Sequence, residues 1–360
     1  MENIDAKNLE ITSMMVDRLV TIGMRWGGRG DRDIIPKLYD CASQKLGGKP
    51  ISLVAAQSLL DKVKKGDTVF LVTGCATWPY LPKGENDGPP GVASLARAIR
   101  IGLGAIPIIV TGTNDIDPVC KTVEAAEVMM GDYETAKASS VMAGASIVFP
   151  TYGKDEAGKE ESRAFAAKIL DEYAPKVAIT VETVGPNKKG ISHFGSGFDL
   201  EAKDKLPDLE YIFTEASAKG IFTIGVMDQG NELGSGTIEE DVRRITPWAD
   251  VCRCPCGAGI ACNVKTDIVY PAAISNWGAY GISAMVAYLL GKTDILQDTL
   301  VERRLQEACI MAGGIDGVFG RACMSVDSVD YLTGEAMLTM LHTIIRIALI
   351  GAKVDRFGKK

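Results

Sequence analysis

The chain has 360 residues, of which 46% are hydrophobic and 24% charged, and its formal net charge is -7. This is the composition of a globular protein with ample material for a large core, and the negative charge disfavours nucleic acid and anionic membranes as partners. No uncharged apolar stretch reaches the ~18 residues of a membrane span, and residues 1–7 lack the basic and apolar regions of a signal peptide. We therefore expect a cytoplasmic protein that binds a small molecule.

The predicted elements begin with helices over residues 8–65, where apolar side chains recur with a helical rhythm. From residue 66 onward, short β-branched runs alternate with helical segments, which is typical of parallel α/β structure. The predicted strands are 68–74, 106–111, 177–181, 221–226 and 268–274, and the clearest crossover helices are 91–103, 118–130 and 160–173. The chain returns to helix over 296–312 and 333–352. The sequence thus predicts an α/β fold with a mainly parallel sheet, flanking helices and helical N- and C-terminal segments.

No repeat, low-complexity tract or long linker interrupts the chain, so we expect a single module over residues 1–360. Two lobes, about 66–200 and 201–330, are an alternative division. The helical ends carry more apolar positions than one sheet needs for its cover, and this surplus predicts a homo-oligomer.

The most informative loop follows the predicted strand 221–226. Asp228, Asn231 and Glu232 lie there among three glycines, and carboxylate and amide oxygens are the ligands that hard divalent cations prefer. Since Asp228 and Glu232 are four residues apart, a helical turn would place both on one face. A strand-to-helix turn capped by Asp and Asn is the structural alternative.

Four more predicted strands end in polar, glycine-bearing loops. The candidate residues there are Asp87, Gly88, Thr113, Asp115, Glu182, Ser275 and Asn276. Open α/β sheets bind ligands beyond the carboxyl ends of their strands. The five loops therefore indicate one composite active site.

Each candidate has a structural alternative. Glu182 is a predicted base or third ligand, or else a salt-bridged strand end. The N-terminus of the predicted helix that follows Asp87 and Gly88 is a predicted anion site; the alternative is that Asp87 is the N-cap of that helix. His193 is a predicted substrate contact.

Cys252, Cys254, Cys256 and Cys262 form one dense cysteine cluster. Zinc and iron–sulfur sites usually contain Cys-x-x-Cys pairs, whereas this spacing is Cys-x-Cys-x-Cys. The spacing therefore favours small buried packing residues over a metal site.

Taken together, the segments 85–91, 228–234, 275–278 and 314–318 resemble the D-glutamate cyclase family. The resemblance covers nearly the whole chain, including the stretch around Arg29. It implies an α/β fold, a divalent metal (manganese, with magnesium possible) and conversion of D-glutamate to 5-oxo-D-proline with loss of water, a lyase reaction of amino acid metabolism.

Two departures concern the substrate pocket. Residues 182–185 are Glu-Thr-Val-Gly where the family tends to show Glu-Arg-Pro-Gly, and the stretch 192–199 contains no arginine. Arginine forks are the usual way to hold a carboxylate, so the departures indicate retained metal chemistry with an altered pocket.

The sequence thus predicts a metal-dependent cyclase. Glu182, Asp228 and Glu232 are its predicted catalytic residues, and Asp228, Asn231 and Glu232 are its predicted metal ligands. The predicted substrate contacts are Asp87, Gly88, Thr113, Asp115, His193, Ser275 and Asn276. A metal-dependent hydrolase of a lactam, amide or phosphate ester and a non-catalytic ligand-binding module are the alternatives.

Overall fold

The computed structural model of the protein describes residues 6–24, 33–139, 142–200 and 206–351. Seven parallel strands form one sheet in the order β3-β4-β2-β1-β5-β6-β7. The strands are β1 (Thr68–Val72), β2 (Ile106–Gly112), β3 (Met129–Gly131), β4 (Ala143–Phe149), β5 (Val177–Val181), β6 (Phe222–Met227) and β7 (Ile268–Pro271). A short antiparallel pair, β8 (Ser325–Val326) and β9 (Val329–Asp330), lies outside this sheet.

Helices account for most of the remaining described residues. They are α1 (Ala6–Val20), α2 (Ile34–Lys45), α3 (Ile51–Lys62), α4 (Pro89–Arg97), α5 (Ile116–Ala125), α6 (Tyr133–Ala138), α7 (Glu156–Tyr173), α8 (Glu210–Ala218), α9 (Glu239–Ile245), α10 (Ser275–Leu290), α11 (Thr299–Ala312) and α12 (Tyr331–Gly351). A π-helical turn, Ala98–Leu103, extends α4, and short 3-10 turns lie at Gly236–Ile238 and Thr293–Ile295.

The sheet is covered by apolar side chains on both faces. Val69 and Leu71 of β1 join the larger core, formed mainly with α1, α3, α4, α10 and α12. Phe70 and Val72 point the other way, into the core formed with α6, α7 and α8. Because both faces are covered, β1 is buried along its whole length, which explains its continuous apolar sequence. The predicted α/β class with a parallel sheet is confirmed.

The sheet edge differs from the prediction. Helix α5 ends at Ala125, and Met129–Gly131 is strand β3, although the sequence predicts one helix over 118–130. Strands β3 and β4 escaped prediction because their alanines and glycines lack the β-branched pattern of a buried strand. The predicted chain break around 26–30, with Arg29, lies outside the described residues.

A second difference lies near the site. Residues 275–278 are predicted as a loop, but they form the first turn of α10. Their glycine and polar side chains look like a loop in isolation, whereas in the fold the backbone N–H groups of this turn bond a carboxylate from another loop.

The strand order creates a crevice between β1 and β5. From β1 the chain proceeds to β2 and β4 on one side, and it returns to pair β5 with the other side of β1. Such a reversal is where open α/β sheets bind ligands. The sheet also continues from β5 to β6, so it includes strands from both ranges offered as lobes; the two-lobe division stays a prediction.

One described helix, α12, is long and apolar enough over Tyr331–Ile350 to cross a membrane by length and composition, a test that core helices of soluble proteins also pass. In this fold α12 packs against α1, α10 and α11.

Candidate active site

Glu182 occupies the centre of the crevice, directly after β5. Its backbone has φ +48°, a left-handed conformation that costs a non-glycine residue about 1–3 kcal/mol and that concentrates at functional sites. Its side chain is buried and accepts a hydrogen bond from Ser275 Oγ at 2.5 Å. Within the described part of the chain Glu182 makes no ion pair, so its environment is not that of a salt-bridged strand end.

Asp87 is fixed beside Glu182 by the N-terminus of α10. Its carboxylate accepts from the backbone N–H groups of Ser275 at 3.0 Å and Asn276 at 2.8 Å, where the helix dipole also favours negative charge. Asp87 therefore caps α10 and not the helix that follows it in sequence.

The side chain of Asn276, in the first turn of α10, in turn bonds the backbone at the start of α4. Its Oδ1 accepts from the N–H groups of Gly88 at 2.9 Å and Gly91 at 2.7 Å. The two residues between them are prolines, which have no N–H to offer. The start of α4 is thus occupied by Asn276, and the anion site predicted there is not formed.

Three buried carboxylates meet in the crevice. One oxygen each from Asp87, Glu182 and Asp228 lie within 4.8 Å of one another, a separation at which the three could hold a metal ion. Burial, and then the neighbouring carboxylates of Glu232 and Asp87, raise the pKa of Glu182 well above its ordinary range. A cation bound here would balance this negative charge.

The predicted ligands of the β6 loop have different surroundings. Asp228 joins the carboxylate group, whereas the carboxylate of Glu232 accepts from the N–H groups of Gln229 at 3.0 Å and Gly230 at 2.6 Å. The segment is a series of bends with Gly230 at φ +102°. The predicted helical turn that would place Asp228 and Glu232 on one face is therefore wrong.

Asn231 has one donor engaged and one acceptor unsatisfied. Its Nδ2 donates to the backbone oxygen of His193 at 2.9 Å. Its Oδ1 is buried and has no hydrogen-bond partner among the described residues. Since Asn231 lines the adjoining cavity, this oxygen can accept from a bound ligand or bind a cation.

The cavity next to the three carboxylates has a volume of about 490 Å³, a size suited to a small metabolite. Its polar lining comes from Glu85, Glu182, Asp199, Gln229, Asn231 and Asp327, and its apolar wall includes Tyr80, Leu81, Phe194, Phe198 and Phe319. Among the described residues of this lining, none is lysine or arginine. A cavity of this charge is suited to a cation or an ammonium group.

None of the seven predicted substrate contacts is among the residues that line the cavity. Thr113 is exposed on the loop after β2. Asp115, at the end of the same loop, is buried and accepts from the N–H groups of Cys75 at 3.0 Å and Ala76 at 2.8 Å. Asp115 therefore supports the loop after β1, and it is Cys75 in that loop that lines the cavity.

His193 is oriented away from the cavity. It is fully buried, its Nδ1 lies 3.0 Å from the backbone oxygen of Ile191, and its Nε2 lies 3.2 Å from Cys254 Sγ. His193, Cys252, Cys254 and Cys256 form the second group in the described chain that could hold a metal ion. The sequence missed this group because its histidine lies far from the cysteines along the chain.

The predictions also omit three cavity acids. Glu85 and Asp199 lie in segments that carry the family comparison, 85–91 and 192–199, but neither has a predicted role, and Asp327 has no local signal. Asp327 lies in the turn between β8 and β9 with φ +51°, a conformation that a single sequence does not reveal.

Comparison with known proteins connects these features to a family. Residues 42–342 match the family described as D-glutamate cyclase-like, C-terminal. Over 225 residues the chain is 30% identical to the human protein named D-glutamate cyclase, mitochondrial; this alignment covers 62% of the chain and 33% of the human protein. The chain therefore matches about a third of the length of that relative.

Proposed function

The chain belongs to the D-glutamate cyclase-like family, and from this premise we propose that it is a metal-dependent carbon–oxygen lyase that cyclises a small amino acid. The reaction would join an α-amine to a γ-carboxyl group of the same molecule and release water. The observation that supports this proposal best is the convergence of Asp87, Glu182 and Asp228 in the crevice between β1 and β5, beside a cavity of about 490 Å³.

The donor set suits a hard divalent cation. Asp87, Glu182 and Asp228 would hold it through carboxylate oxygens, as manganese and magnesium prefer, and the unsatisfied Asn231 Oδ1 offers a neutral ligand nearby. When bound, the ion would polarise the carboxyl group that is attacked.

The protein's own groups would position the substrate and move protons. Glu182 lines the cavity, and Ser275 fixes one of its oxygens. In this position Glu182 can carry the two protons that the substrate ammonium loses, one after the other, to the departing oxygen, which then leaves as water. Gln229 and Asn231 supply hydrogen bonds to polar parts of the substrate.

One observation favours a second candidate, hydrolysis of a lactam or amide. D-glutamate carries two carboxylates, and a buried charge without a partner costs several kcal/mol. The described cavity lining provides no lysine or arginine for the second carboxylate. An uncharged cyclic substrate would avoid this cost, and its opening is the same reaction in the other direction.

The experiment measures the reaction in both directions, cyclisation of glutamate and opening of the lactam. The chelator-treated protein is incubated with D-glutamate, L-glutamate or 5-oxo-D-proline, with and without manganese, and products are separated by chromatography. We expect metal-dependent formation of 5-oxo-D-proline from D-glutamate. Ligand binding without turnover would support the binding module instead.

Two variants test the assigned residues. We expect Glu182→Gln and Asp228→Asn to lower kcat by roughly 10²-fold or more, since each removes a proton carrier or a charged ligand. Glu302→Gln is the control, because Glu302 is also buried but bonds to Tyr280 and two glutamines outside the cavity. Unchanged turnover in the two site variants would contradict the proposal.

We also propose a reducing compartment such as the cytosol and a homo-oligomeric assembly. None of the nine cysteines, all of which lie in the described part of the chain, forms a disulfide, as expected of a reducing environment. Helices α1 and α12 pack together and expose the large apolar side chains of Ile11, Met15, Met340 and Ile347, which a second subunit could cover.

A further inference from the structure

We propose that His193, Cys252, Cys254 and Cys256 form a structural zinc site that fixes the wall of the cavity. One atom from each residue lies within 4.8 Å of the other three. The site is separate from the carboxylate group and uses the nitrogen and sulfur ligands that zinc prefers over hard ions. It stands independently of the reaction proposed above.

Four of the six distances among the ligand atoms are 3.2–3.5 Å, and the other two lie within 4.8 Å. Cys252 Sγ lies 3.4 Å from Cys254 Sγ and 3.3 Å from Cys256 Sγ, and His193 Nε2 lies 3.2 and 3.5 Å from the last two sulfurs. Ligands around one zinc are about 3.8 Å apart for two sulfurs and about 3.6 Å apart for sulfur and nitrogen, given bond lengths of about 2.3 and 2.0 Å. An outward movement of a few tenths of an ångström would bring these four pairs to the spacing that zinc requires.

The histidine is held in the form that binds a metal. Since a carbonyl oxygen can only accept, the contact at 3.0 Å means that His193 Nδ1–H donates to the oxygen of Ile191. This bond leaves the lone pair of Nε2 directed at the sulfurs. A backbone carbonyl on the second ring nitrogen is the usual outer support of a metal-binding histidine.

The sulfur of Cys256 is also supported by donors. The N–H of Ala258 donates to it at 3.4 Å, and Asn187 Nδ2 lies 3.6 Å away. Donors of this kind stabilise a thiolate, which is the form that binds zinc. A packing role for the thiol would require neither donor.

The four proposed ligands come from two separate segments of the chain. His193 belongs to residues 182–200, which follow β5, and the cysteines belong to residues 246–267, which lie between α9 and β7; neither range contains a helix or a strand of the sheet. Segments of this length without regular structure are uncommon in compact proteins and usually carry a specific function. A zinc ion would join the two segments and supply folding free energy directly.

The segment that contains His193 forms part of the cavity wall, and the cysteine segment packs behind it. Phe194, next to His193, lines the cavity, and the backbone oxygen of His193 accepts from Asn231. On the cysteine side, the N–H of Arg253 donates to Gly197 at 2.7 Å, and its guanidinium lies over the Trp248 ring at 3.9 Å. Zinc would therefore fix the wall without contacting the substrate.

Metal analysis of the full-length wild-type protein is the first test. Protein purified under reducing conditions from zinc-supplemented medium and passed over a weak chelator should retain about one zinc per chain. Protein grown with cobalt should show thiolate-to-cobalt charge transfer and the visible bands of tetrahedral cobalt. An ion held by carboxylates gives no thiolate band, so the two metal sites are distinguished. Reduced protein with neither zinc nor the cobalt spectrum would overturn the proposal.

A matched pair of cysteine variants is the second test. We expect Cys254→Ala to lower retained zinc roughly tenfold or more, and Cys262→Ala, which removes a buried sulfur outside the group, to retain it. Should Cys254→Ala fail to fold, titration of the wild type with a mercurial should release zinc in step with modification of the three thiols. Full zinc in Cys254→Ala, zinc release unconnected to these thiols, or a disulfide among them in the protein as purified would refute the site.

Discussion

Asp115→Asn should remove a specific dependence of stability on pH. Asp115 is fully buried, and burial raises its pKa from 3.8 to about 7, against the lowering effect of hydrogen bonds from Ala76 and Cys75. Both N–H groups donate to the same oxygen, Oδ1. Asparagine offers this oxygen too, so the variant keeps both bonds and loses only the ionisation.

The sign and size of the effect follow from linkage. Because the folded state holds its proton up to about pH 7 and the unfolded state releases it near 3.8, this group's contribution is fully present below pH 3.8 and is lost as pH rises towards 7. At about 1.4 kcal/mol per pH unit the full loss is about 4 kcal/mol, and roughly 2–3 kcal/mol of it falls between pH 5 and pH 8. The unfolding free energy of Asp115→Asn relative to wild type should rise by that amount over this interval.

The assay is urea denaturation followed by circular dichroism at several pH values between 5 and 8. Asp117→Asn is the control, since Asp117 lies two residues further on, in the first turn of α5, with its side chain 70% exposed, and should leave the curve unchanged. Parallel pH curves for Asp115→Asn and wild type would refute the reasoning. Turnover should survive in Asp115→Asn, whereas a direct substrate contact through the carboxylate would make it fall.

Three further predictions concern the core and the surface. Gly88→Ala should destabilise the fold by about 3 kcal/mol or more, because Gly88 has φ +103° and the added Cβ would lie 2.3 Å from Thr73 Oγ1. Gly190→Ala is the control and should cost only about 1 kcal/mol, because Gly190 has φ +73° but no atom lies within 4 Å of the added Cβ. Equal losses of stability for the two variants in thermal melts would contradict this prediction. Asp17→Ala should destabilise by several kcal/mol, since two tyrosine hydroxyls and the N–H of Ile51 lose their buried acceptor; a melting temperature within a degree of wild type would argue against it. Sedimentation should show an oligomer at micromolar concentration that dissociates when a charge is placed at Ile347 on the exposed face of α12, and a monomeric wild type would disprove the assembly.

The sequence alone determined the local elements of the sheet. Buried parallel strands need continuous apolar runs, so β1, β2, β5, β6 and β7 are visible in the chain. It also determined that polar loops follow these strands, and the topology of open sheets then places them at one edge. The α/β class and the family resemblance followed from these local signals.

The tertiary structure decided which side chains meet. Asp87 joins Glu182 because β1 and β5 pair across a long stretch of sequence and because α10 presents its N–H groups to Asp87. Glu232 was expected at the metal, but two positive-φ glycines bend its loop so that its oxygens bond their own backbone. His193 was expected at the substrate, but the fold brings it to the cysteines. Such pairings depend on contacts between distant segments, and residue type and local spacing carry no information about them.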